Sequence, residues 1–267
     1  MPNFDEDISA FISSLSVKKQ GINTGYKKID NATGGLIKKS VLVIGARPST
    51  GKTSFALNLA CNGFYTKRYK SILYTIEMST QTILERISAI LTGISYKKIL
   101  QRQLSEAEKE KIKCEIERAK EYIEIVDSIN TIEEIEKDII YKKPDIFIID
   151  YAQIIQTQKK AESTKQRIDI ISAEIKRIAK ENDCLAVVLA QINRQSKDAP
   201  TMSDLKESGA LEQDADYVII LHRPYVQDKS QTAEDTILTL DKNRYGTVGR
   251  TKLYFDGKTQ IFEESRG

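Results

Sequence analysis

Along the chain, short runs of consecutive apolar residues alternate with segments whose apolar residues recur at helical spacing. The runs Val41 to Ile44, Ser71 to Ile76, Tyr122 to Val126, Asp145 to Asp150 and Leu185 to Ala190 read as strands buried on both faces. Helices fall between them. One runs from Ser54 to Ala60, one from Ser79 to about Leu91, and a charged one covers 105–121, opened by Ser105-x-x-Glu108. Another covers about 131–141, and a long one at about 164–182 carries Ile168, Ile171, Ile175 and Ile178 on one face. This alternation predicts an α/β fold with a mainly parallel sheet covered by helices. The tail differs: 216–222, 235–242 and 250–255 read as strands joined without helices. The sheet is therefore expected to finish antiparallel, its last two strands linked through Asn243 to Gly249. At the other end Phe4, Ile8, Phe11, Ile12 and Leu15 make an amphipathic helix on a polar linker, whose stripe needs a surface on its own domain or on a neighbour's. The expected organisation is a linker helix and linker over 1–20 and one domain over 21–267.

Composition narrows the function classes. Among 267 residues, 41 Lys plus Arg against 38 Asp plus Glu leave a net charge of +3, so no global basic field points to nucleic acid. Any contact with a polyanion must come from local loops. Cys61, Cys114 and Cys184 are isolated in sequence and with the single His222 make no conventional structural zinc site, which suits a reducing, cytoplasmic setting. No apolar run reaches membrane-spanning length, and the acidic start Met1 to Asp7 is unlike a secretory leader.

The chemistry is concentrated where strands end. After Val41 to Ile44 the chain reads Gly45-Ala46-Arg47-Pro48-Ser49-Thr50-Gly51-Lys52-Thr53-Ser54, a phosphate-binding loop between a strand and a helix. Backbone amides and the helix start suit phosphate oxygens, Lys52 the terminal phosphates, and the Thr53 hydroxyl Mg²⁺. The first glycine of the usual pattern is Ala46 here, with Gly45 one place early; Ala fits only if that position keeps φ negative. Three further strands end in Glu77, Asp150 and Gln191. Ligands of an open parallel sheet sit beyond the carboxyl ends of its strands. Each acid alone could be a helix cap or a solvated terminus. Together they fit phosphoryl transfer to water, with Asp150 on the metal, Glu77 on the water and Gln191 sensing the γ-phosphate.

The order of these motifs resembles a known family. The loop Ala46 to Thr53 is followed by Glu77-Met78-Ser79, Ile149-Asp150-Tyr151-Ala152-Gln153 and Ala190-Gln191-Ile192-Asn193-Arg194. Then come Ser203 to Gly209, Glu212-Gln213-Asp214-Ala215-Asp216 and Lys242-Asn243-Arg244-Tyr245-Gly246. Over about 21–263 this is similar to the C-terminal domain of the DnaB-type replicative helicases. The resemblance implies a RecA-like P-loop ATPase that forms a hexameric ring, encircles single-stranded DNA and moves 5′ to 3′ on it using ATP and Mg²⁺. It also implies that Lys242 and Arg244 act as a basic finger on the γ-phosphate of the adjacent subunit; without it they read as an ordinary solvated hairpin turn with outward side chains.

For DNA, two basic stretches follow Asp150 and Gln191. The first carries Lys159, Lys160, Lys165 and Arg167, the second Arg194, Lys197 and Lys206. Neither holds an aromatic residue for base stacking. The family usually has Arg at Lys206, while Glu207 and Gly209 match the segment that meets DNA through its backbone. Two other readings stay open: a recombinase-like or clock-like RecA ATPase, and a nucleotide-gated scaffold that binds DNA without unwinding it. The family implies a helicase loader as a partner, in bacterial, phage or plasmid replication. A primase contact is doubtful on this reading, because only 1–20 precede the core and the family's helical N-terminal domain is absent.

Overall fold

The computed structural model describes residues 8–9, 11–13, 15, 21–66, 68–192 and 199–264, with 206–208 as backbone. Nine strands form one sheet in the order β3-β2-β4-β5-β1-β6-β7-β8-β9. They are β1 Val41–Ala46, β2 Ser71–Thr75, β3 Ile123–Val126, β4 Ile146–Asp150, β5 Leu185–Gln191, β6 Tyr217–His222, β7 Asp235–Asn243, β8 Gly249–Asp256 and β9 Ile261–Glu264. The first six pair in parallel; β6 to β9 run antiparallel. The expected mixed architecture is therefore present, a RecA-like sheet with an antiparallel end.

The apolar runs divide by strict alternation, because successive side chains point to opposite faces. Leu42 and Ile44 join one core with Phe55, Leu59, Phe64, Ile83 and Ile87. Val41 and Val43 join the other with Ile135, Ile139, Ile168, Ile171, Ile175 and Ile178. The first face is covered by α1 Lys27–Thr33, α2 Lys52–Thr66 and α3 Thr80–Thr92. The second is covered by α6 Ile132–Lys142, α7 Thr164–Glu181 and α8 Gly209–Asp214. α4 Tyr96–Leu100 and α5 Glu106–Ala119 follow α3 in the chain and pack against it on the first side; a last short turn, α9 Pro224–Gln227, follows β6. Each fully buried isoleucine of α7 contributes about 1.5–3 kcal/mol, which outweighs its modest helix propensity. The capping box at Ser105 and Glu108 is formed. In the first stretch, Ile8, Phe11, Ile12 and Leu15 are exposed, and 8–9 and 11–13 are helical.

Candidate active site at the carboxyl ends of the strands

β1 ends at Ala46, whose φ is not positive, so the alanine meets the backbone condition set by its place in the loop. Gly45 is the residue that must be small: a Cβ there would lie 2.8 Å from Ile220 Cδ1 and 3.0 Å from Leu205 Cδ2. The loop then bends through Ser49 at φ 65° and Gly51 at φ 98°, left-handed positions that turn the chain into α2. Such backbone curls present amides to an anion.

Lys52 opens α2 and is 11% exposed. Its Nζ lies 3.9 Å from Asp150 Oδ1 and 4.9 Å from the centre of the Tyr151 ring. Burial pushes the Lys52 ammonium below its usual range, and the charges of Asp150 and Glu77 partly offset that. Asp150, at the end of β4, accepts a hydrogen bond from Thr53 Oγ1 at 2.6 Å. Both Lys52 Nζ and Asp150 Oδ1 are buried without a hydrogen-bond partner. Buried polar atoms are ordinarily paired, so this donor and acceptor fit a phosphate oxygen and a cation respectively. Burial, then Glu77 and Asp150, raise the Tyr151 phenol.

A cavity of about 690 Å³ unites the loop with the other strand ends. Ala46, Arg47, Pro48, Ser49, Gly51, Lys52, Thr53 and Ser54 line it, with Glu77 just beyond β2 and Gln191 at the end of β5. Gln191 sits in register with Ala46 on the neighbouring strand. Thr50 is buried and off the cavity.

The far wall was not read from the sequence. Arg86 of α3, Arg223 after β6, Phe255 of β8 and Gln260 before β9 complete the cavity. Arg86 Nη1 donates to Ser54 Oγ at 3.1 Å and to Gln260 Oε1 at 2.9 Å, and Ser54 Oγ donates to Gln260 Oε1 at 2.8 Å. The Arg223 guanidinium lies 4.7 Å from the Phe255 ring centre. One signal was available: Arg86 interrupts the apolar stripe of Ile83, Ile87 and Ile90. Nothing local marks Gln260.

The basic pair Lys242 and Arg244 does not line this cavity. The sequence suggested outward side chains at a hairpin turn; instead Lys242 is still in β7 and both heads fold back on their own subunit. Lys242 Nζ donates to the carbonyls of Glu212 and Gln213, and Arg244 pairs with Asp216 at 3.2 Å. Burial and the Arg244 charge hold the Lys242 ammonium down.

The DNA candidates divide. Lys159 pairs with Glu174, Arg167 donates to Gln156 and to the Gln153 carbonyl, and Lys160 and Lys165 are exposed. Arg194 and Lys197 lie outside the described residues, as do the side chains of Lys206 and Glu207. Gly209 opens α8. The two stretches meet: Gln153, Thr164 and Lys165 face Gly209, Ala210 and Gln213 across a groove of about 870 Å³.

The DnaB-like helicase C-terminal domain family model matches residues 21–264. The chain belongs to this family. The replicative DNA helicase DnaB of Buchnera aphidicola subsp. Acyrthosiphon pisum (strain APS) is 31% identical over 260 residues, covering 92% of this chain and 57% of its own. A probable plasmid replicative DNA helicase of Chlamydia trachomatis serovar L2 is 34% identical over 252 residues, covering 90% and 54%. The chain thus spans about half the length of the curated relatives it matches. Among solved structures, an ATPase domain with 28% identity superimposes with a TM-score of 0.90, covering 100% of both chains. A DnaB-like replicative helicase, solved to show its interactions with primase, gives 0.89 at 29% identity, covering 98% of this chain and 68% of that one. Membership of the DnaB-like family gives the RecA-like sheet and nucleotide cradle their common origin. Among the described residues no helix is long and apolar enough to cross a membrane.

Proposed function

We propose that this chain is the ATP-driven motor of a replicative DNA helicase, working as a hexameric ring that moves 5′ to 3′ on single-stranded DNA. The observation that carries the reading is the convergence of Lys52, Thr53, Asp150, Glu77 and Gln191 on one cavity, with Lys242 and Arg244 outside it. Lys52 and the loop amides bind the β- and γ-phosphate oxygens of ATP. Thr53 and Asp150 would hold Mg²⁺, which would supply neutralisation of phosphate charge; among the described residues no three His, Cys, Asp or Glu come together as a metal cage, and Mg²⁺ with phosphates needs none. Glu77 takes the proton of the attacking water. Gln191 orients the γ-phosphate. Arg244, with Lys242, completes the site of the adjacent subunit, where positive charge meets what develops during transfer.

The groove shared by the stretches after β4 and β5, lined by Lys165, is where the DNA backbone would lie; Lys160 and the basic residues of 194–209 are the further candidates from the sequence. A loader and a primase are partners for the assembled helicase, the latter by likeness to the relative solved with primase. The replication machinery of a bacterium, phage or plasmid is the setting.

Glu77→Gln should bind a fluorescent ATP analogue as the parent does but lose turnover by about 10²-fold or more. Lys52→Ala should lose the analogue as well. Turnover by Glu77→Gln near the parental rate would falsify the base assignment. DNA-stimulated hydrolysis without strand displacement on a forked duplex would favour the scaffold reading.

A further inference from the structure

The run Glu212 to Asp216 takes no part in the nucleotide site proposed above, yet its polar atoms are heavily committed. Asp216, 5% exposed, sits just ahead of β6. Its Oδ2 accepts the Val41 amide at 3.0 Å and its Oδ1 accepts Arg244 Nη1 at 3.2 Å. Its backbone carbonyl accepts the Arg244 amide at 3.0 Å. At the carboxyl end of α8, the Glu212 and Gln213 carbonyls accept Lys242 Nζ at 2.7 and 3.1 Å, and Gln213 also accepts Arg244 Nη2 at 3.1 Å. Both basic heads therefore rest on one acid and one helix end.

The same strand grips the other end of that segment. The β6–β7 ladder slips between Val218 and Ile219, which pair with Lys242 and Leu240 and leave Asp241 as the extra residue. A bulge of this kind re-aims a side chain. Here the Asp241 carboxylate accepts the Met202 amide at 2.9 Å. Residues 202–214 are thus pinned to the end of β7 at their start by Asp241 and at their finish by Lys242 and Arg244.

We infer that Asp216 and the carboxyl end of α8 are a dock that positions the Lys242 and Arg244 finger and ties its placement to the segment 202–214 on the DNA side. This rests on the proposed trans role of Arg244. An undocked arginine explores many rotamers, and holding it costs side-chain entropy, which a buried carboxylate offsets by a charge-assisted hydrogen bond. Docking leaves the finger usable. A guanidinium has five N–H donors, and the dock takes two, so three stay available to a phosphate on the next subunit. Asp216 is a positioning residue, acting through Arg244.

Asp216→Asn keeps an oxygen for the Val41 amide and removes the charge facing Arg244. It should lower the DNA-stimulated kcat for ATP by about tenfold to a hundredfold with KM for ATP within about twofold, since a misplacement of about 1 Å costs that much. Because the defect lies in what a subunit offers its neighbour, mixed rings with Glu77→Gln subunits should exceed the summed activity of the two parents. Arg244→Ala mixed with Glu77→Gln serves as the parallel. Unchanged kcat in Asp216→Asn overturns the dock. No recovery on mixing, where Arg244→Ala does recover, overturns it too by placing the defect in the variant's own pocket. Parental activity in Arg244→Ala alone removes the trans reading and the dock with it. Should Asp216→Asn not fold, Asp241→Ala carries the test: the ratio of DNA-stimulated to DNA-free kcat should fall by about tenfold, and an unchanged ratio overturns the tie to 202–214.

Discussion

At the scale of single residues, one glycine explains a departure in the phosphate loop. Gly45 leaves room for Leu205 and Ile220, so the small residue is needed in the strand, while Ala46 needs only an ordinary backbone. Gly45→Ala should therefore destabilise the fold by about 1–3 kcal/mol through overpacking, read as a lower urea midpoint with an unchanged slope. His222 offers a second test. Burial, then the charges of Arg47 and Arg250, lower its folded pKa. The unfolded chain then binds the proton more readily, so stability is full above the unfolded value near 6.5 and declines as pH falls toward the folded one. Thermal unfolding at pH 7.5 and 5.5 should show a smaller decline in Tm for His222→Gln than for the parent. The groups at the strand ends were legible in the sequence because each closes an apolar run and the loop has a fixed spacing. What Lys242 and Arg244 touch was not. Their partners, Asp216 and two backbone carbonyls, come from a helix end some thirty residues away, and backbone carbonyls carry no signature in a sequence.

At the scale of elements, the strands buried on both faces and the isoleucine face of α7 were plain, since period and burial coincide there. β9 and α1 escaped. β9 spans only Ile261–Glu264 at the sheet edge, and α1 only Lys27–Thr33, both too short for a period to establish itself. That short edge strand matters, because Gln260 at its entrance meets Ser54 of α2 and Arg86 of α3. The three elements are held by one guanidinium. Arg86→Ala should lower stability by about 1.5–3 kcal/mol, the worth of hydrogen bonds to a charged group. This corresponds to a Tm loss of about 3–12 °C in a thermal melt, with weaker nucleotide binding beside it.

At the scale of the whole molecule, Lys242 and Arg244 lie outside their own nucleotide cavity, which under the proposed trans role is the reason to expect a ring. A heterologous contact repeated around a closed circle gives every cavity a finger from next door. Particle mass measured with an ATP analogue and single-stranded DNA should equal six chains; a monomer under those conditions would contradict the shared site. The groove proposed for DNA belongs to this scale as well. It is assembled from α7 and α8, and the sequence showed only that basic residues occur near both.

The two walls of the nucleotide cavity are written far apart in the chain, Lys52 near one end of the sheet's history and Gln260 near the other. During synthesis the phosphate cradle and Arg86 emerge early, but Phe255 and Gln260 of the opposite wall are still inside the ribosome until β8 and β9 have been made. A newly translated chain therefore cannot close its pocket until Gln260 has left the ribosome, about two hundred residues after Lys52.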